Sequence, residues 1–95
     1  MAERPIQDEM QIKVDLSDGV NKEEAIILAK NYLIHKGLEK NVIIFKAKVR
    51  ESRLFKECWT VYFPPSPNIR ARIPFDFVVD VDKKTGEIKL AGWNK

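Results

Sequence analysis

Cysteine and histidine each occur once in this 95-residue chain, at Cys58 and His35, and glycine only four times. A lone cysteine cannot close an internal disulfide. That excludes the small secreted disulfide scaffolds for the chain by itself and makes a reducing compartment, the cytoplasm, the expected location. One cysteine and one histidine cannot furnish a zinc site alone. Long apolar runs are missing too: the longest, Ala25 to Ala29, falls far short of the ~20 residues that span a bilayer, so no membrane association is expected. The opening residues, M-A-E-R-P-I-Q-D-E, lack the apolar core of a signal peptide.

What remains is 44% hydrophobic and 33% charged, ordinary for one soluble globular domain. The net charge is +3, unevenly spread. Residues 1–20 carry two basic and five acidic groups, whereas Lys46, Lys48, Arg50, Arg53 and Lys56 face only Glu51 across eleven residues. This local basic patch reads first as a solvated strand face and second as a nucleic-acid footprint.

Residues 1–9 have no periodicity and are expected to be a disordered tail, leaving 10–95 as one domain. Met10, Ile12, Val14 and Leu16 alternate with polar residues, the period of a half-buried strand or an extended segment lying on a core. Ser17-Asp18-Gly19 is a turn signal. Asn21 with Glu24 three residues later forms a capping box, and Gly37 suits a left-handed stop, so a helix is expected from about Lys22 to Lys36. Its core face gathers Ala25, Ile26, Leu28, Ala29, Tyr32 and Leu33 within an arc of roughly 160° at 100° per residue. Ile27 and Ile34 point the other way, either under the Met10–Leu16 segment or exposed to a partner.

From Val42 the pattern changes to strands. Ile43, Phe45, Ala47 and Val49 form one face, Trp59, Val61 and Phe63 the next, and Phe75, Phe77, Val79 and Val81 a third. Pro64, Pro65 and Pro67 break the chain between the second and third strands. Lys83-Lys84-Thr85-Gly86 makes a hairpin loop, and Glu87 to about Trp93 returns as the last strand. The expected fold is α+β: one helix packed on a four-stranded antiparallel meander sheet in two layers, with the Met10–Leu16 segment as a further N-terminal strand in one version. The expected core is Ile26, Ala29, Leu33, Phe45, Val49, Trp59, Val61, Phe63, Phe77, Val79, Val81 and Ile88.

Chemistry-bearing residues are sparse. His35 falls in the last turn of the helix and Cys58 opens a strand on the far face, a poor geometry for a Cys-His nucleophile. Asp80, Asp82 and Glu87 around Gly86 resemble a calcium loop only in outline, because Lys84 occupies the third ligand position and Ala91 stands where the bidentate acid belongs. No catalytic residue, cofactor or metal is therefore expected. Two features carry functional promise: the Pro64–Pro74 loop with Arg70 and Arg72, and the outer sheet face with Lys46, Lys48, Tyr62, Asp80 and Trp93. The partner-binding candidates are Tyr62, Arg70, Arg72, Lys46, Lys48 and Trp93. The expected function is a non-catalytic protein-binding or regulatory module. Single-stranded nucleic-acid binding through Lys46, Lys48, Arg50 and Arg53 stands second, since stacking plus phosphate contacts is how open sheets hold such strands.

The helix with Ala25 and Ala29, the aromatic strand W-T-V-Y-F and the V-D-x-x-T-G-E-I hairpin (Val81 to Ile88) resemble the PepSY type of small α+β domain and related cystatin-like families over about Asn21–Leu90. The resemblance implies a non-catalytic module that binds or restrains a protein partner. The Q-x-V-x-G motif of true cystatins is absent, so protease inhibition is not implied. A small sheet with a W-x-V-x-F strand and a terminal D-x-x-T-G hairpin is also similar to immunity proteins of bacterial toxin systems, which implies direct binding of a toxin.

Overall fold

The computed structural model describes residues 19–94; the expected tail at 1–9 and the Met10–Leu16 segment lie outside the described residues. Helix α1 spans Lys22–His35 and its limits are chemical. Asn21 Oδ1 accepts from the Glu24 amide at 2.8 Å and Glu24 Oε1 accepts from the Asn21 amide at 2.8 Å, the reciprocal capping box. At the other end Gly37 adopts φ 73°. The Leu38 amide then reaches Leu33 O at 2.8 Å and the Gly37 amide reaches Ile34 O at 3.1 Å, a Schellman closure.

Ala25, Ala29 and Leu33 lie one helical turn apart and are fully buried. The two alanines let the helix approach the sheet closely, while Ile26, Leu28 and Tyr32 pack around them. Below lie β1 (Lys48–Glu51), β2 (Cys58–Phe63), β3 (Phe77–Asp82) and β4 (Ile88–Trp93), in the order β1-β2-β3-β4, all antiparallel. The helix covers β1, β2 and β3. Val61, Phe63, Phe77, Val79 and Val81 form the buried sheet side of the core, with Val49, Trp59, Ile88, Ala91 and Trp93 partly buried around them. The expected α+β architecture is thus the observed one.

Trp59 closes one end of the core. Its indole Nε1 donates to Val20 O at 2.7 Å, and the Lys83 ammonium sits 4.4 Å from the ring centroid while pairing with Glu51. At this end Asp82 Oδ1 accepts from the Lys84 and Thr85 amides at 2.7 and 2.9 Å. Gly86, at φ 77°, completes the β3–β4 turn.

The first strand departs from expectation. Ile44–Lys46 is a 3-10 turn, β1 begins only at Lys48, and Phe45 is 78% exposed instead of contributing to the core. The reason lies across the sheet. Continuing the Lys48↔Tyr62 register would place Phe45 opposite Pro65, but Val42 takes that position, so three residues leave the ladder as one 3-10 turn. Pro64 and Pro65 have no N–H to donate to the ladder, and the Pro64 carbonyl accepts from the Ile43 amide at 2.8 Å.

Two smaller differences follow. β3 starts at Phe77, leaving Phe75 exposed. The proline-rich connection contains a short helix α2, Pro67–Arg70, begun by Ser66 with Pro67 in its first turn, where a missing N–H costs nothing.

Candidate functional site

Residues opposite one another in register share a face of the sheet. Lys48 lies opposite Tyr62, Arg50 opposite Thr60, Thr60 opposite Asp80, Tyr62 opposite Val78, and Asp80 opposite Leu90. These residues make up the face turned away from α1, and they line a concavity of about 680 Å³. One wall is basic: Lys48 and Arg50 from β1, with Arg53 from the β1–β2 connection. Asp76, just before β3, and Asn94, just after β4, lie together at one end, and Tyr62, Val78 and Leu90 supply the apolar floor.

Within the groove, the Arg50 guanidinium lies 6.0 Å from the Tyr62 ring centroid, so the aromatic surface holds a cation in place. Asp80 is buried and accepts the Thr60 hydroxyl hydrogen across the β2–β3 pair. Leu90 is 43% exposed and Leu54, at the Arg53 end, 72% exposed. Lys48, Arg50 and Arg53 make no ion pair with any described residue.

Of the six candidates named from the sequence, Lys48, Tyr62 and Trp93 reach the groove and Lys46, Arg70 and Arg72 do not. Lys48 and Tyr62 meet as a cross-strand pair in the groove. Lys46 is exposed in the 3-10 turn outside the groove lining. Arg70 ends α2, where its Nη2 donates to Pro65 O at 3.3 Å, and Arg72 is exposed beyond it; neither lines the groove. Trp93 touches the groove rim, yet it lies opposite Phe77 on the core side, their rings edge-on at 5.1 Å.

A bulge accounts for Trp93. Asp80 pairs with Leu90 while Val81 pairs with Ile88, so Lys89 is the extra residue and the alternation of β4 flips there. Simple counting from Ile88 puts Trp93 on the outer face and Leu90 inside. The bulge reverses both. Leu90 and Thr60 are therefore groove residues that sequence reasoning missed.

His35 is exposed in the last turn of α1, and Cys58 is fully buried at the start of β2. Burial pushes the Cys58 thiol up from its ordinary value, with Asp80, Asp82 and Glu57 adding to the effect, which keeps it protonated and poorly nucleophilic. The Asp82 carboxyl is held below its ordinary value, chiefly by the Thr85 and Lys84 amides. Among the described residues no three His, Cys, Asp or Glu side chains gather into a metal-binding group. No described helix is long and apolar enough to cross a membrane. No family model, curated protein or solved structure matches this chain.

Proposed function

We propose that this chain is a non-catalytic protein-binding or regulatory module that engages its partner through the concave outer face of the sheet. The observation that carries the reading is the groove itself. One sheet face is covered by α1, while the other presents a basic wall on β1, a part-buried tyrosine on β2 and an exposed leucine on β4. Such a combination suits a protein surface, where an apolar centre supplies desolvation energy and rim charges supply orientation. The PepSY-like and immunity-protein resemblances agree with a binding role, and a single cysteine suits a reducing cytoplasm. Arg70 and Arg72 stand outside the groove, so the proline-rich loop is an accessory to this reading.

Affinity capture from lysate of the source cells tests it. Tyr62→Ala combined with Leu90→Ala is expected to lose a partner that Arg70→Ala plus Arg72→Ala retains. Unchanged recovery by the groove variant, with the fold verified by circular dichroism, contradicts the proposal.

Single-stranded nucleic acid remains the second reading because Lys48, Arg50 and Arg53 flank Tyr62. It predicts oligonucleotide affinity that weakens by ~0.7 log unit per log unit of salt for each phosphate contact. Absence of binding at low salt removes it.

A further inference from the structure

The groove's charge is divided, and the division bears on what fits there. Lys48, Arg50 and Arg53 occupy the β1 side, and none of them forms an ion pair with a described residue. The acids differ from the bases in their surroundings. Asp80 is 3% exposed and already accepts the Thr60 hydroxyl, so it sits beneath the surface as part of the floor. Asp76, half-buried, directly precedes β3 and lies at one end of the groove, where its carbonyl accepts from the Asn94 amide at 2.8 Å. A ligand lying across the strands therefore meets cations on the β1 flank and then Tyr62, Val78 and Leu90 toward β4, with the Asp76 carboxylate at the groove's end.

From this charge complementarity we infer that the occupant is an acidic peptide segment of the partner, its carboxylates along β1 and at least one apolar side chain over Leu90. The inference rests on the protein-binding reading above and specifies the partner's chemistry. Carboxylates beside Lys48, Arg50 and Arg53 gain charge-assisted hydrogen bonds, with Arg50 pre-oriented by the Tyr62 ring. An apolar side chain over Leu90 and Val78 removes exposed hydrocarbon from water. A nucleic-acid strand fits less well, since its bases stack best on aromatic rings and the floor offers a single ring, Tyr62, beside the aliphatic Val78 and Leu90.

Fluorescence anisotropy on the full chain tests this with three probes of equal length: a labelled peptide repeating two glutamates and a leucine, its lysine-for-glutamate counterpart, and a labelled oligo-dT. The glutamate peptide is expected to bind at least ~10-fold tighter than the lysine peptide and to weaken as salt rises. Lys48→Gln plus Arg50→Gln should weaken it ~10-fold or more, with Lys48→Glu plus Arg50→Glu stronger still. Leu90→Ser should weaken it ~3-fold or more, and Arg70→Gln plus Arg72→Gln should leave it unchanged. Thermal melts of each variant separate lost binding from lost fold. Equal binding of the two peptides, tighter binding of oligo-dT, or loss in the Arg70/Arg72 variant alone overturns the inference. If lysate capture depends on Tyr62 and Leu90 while the glutamate peptide does not bind, the partner chemistry is wrong and the protein-binding reading stands.

Discussion

Asp82 shows how a side chain with the chemistry of a ligand serves the backbone instead. Its Oδ1 receives the Lys84 and Thr85 amides, and those donors favour the ionised carboxylate. Because the folded state holds this carboxyl below its ordinary value, the contribution to stability is present above the ordinary carboxylate range. It is lost as pH falls through that range and then through the lower folded value. Asp82→Asn keeps an acceptor oxygen but removes the charge. Thermal melts should show the variant less stable than the parent near pH ~7, the gap closing as pH is lowered toward ~2. A gap that is constant with pH would show that the lost charge is not the cause. In the sequence, Lys83 to Gly86 are legible as a turn; the amide partners of Asp82 are not, because they depend on the turn's closed geometry.

Among the elements, α1 was the most legible, since each of its ends is specified within a few residues. Asn21 and Glu24 satisfy each other's amides, and Gly37 supplies the left-handed residue. Asn21→Ala should cost about 0.5–2 kcal/mol in chemical denaturation, with little change in the denaturant slope. Strand faces were harder to read. In β4 the bulge at Lys89 exchanges the places expected of Leu90 and Trp93, and a bulge depends on pairing with β3 that no local pattern encodes. Period-two alternation reports a face only while pairing stays in step. The basic wall was partly visible: Lys48 was named with Tyr62, but their cross-strand adjacency and the stacking of Arg50 on that ring needed the register.

Across the whole molecule, the proline pair and the core compete for the segment after Val42. Apolar patterning alone sends Phe45 inward, yet the donor-free prolines opposite it drop three residues out of the ladder and leave its ring in solvent. Phe63, by contrast, is fully buried between helix and sheet. Phe63→Ala is therefore expected to cost about 3–5 kcal/mol, and Phe45→Ser to stay within about 0.5 kcal/mol of the parent, both measured by urea unfolding. A large loss on Phe45→Ser would place that ring back in the core.

The amino-acid order by itself determined the α+β class, the helix with both its ends, the meander and the turn at Gly86, because each is written in short-range periodicity, capping or glycine placement. Tertiary pairing alone decided which β4 side chains face outward, where β1 begins and that Arg70 and Arg72 stand apart from the groove. Those outcomes depend on hydrogen-bond partners tens of residues away, and a missing N–H or one extra residue in a ladder changes every face beyond it.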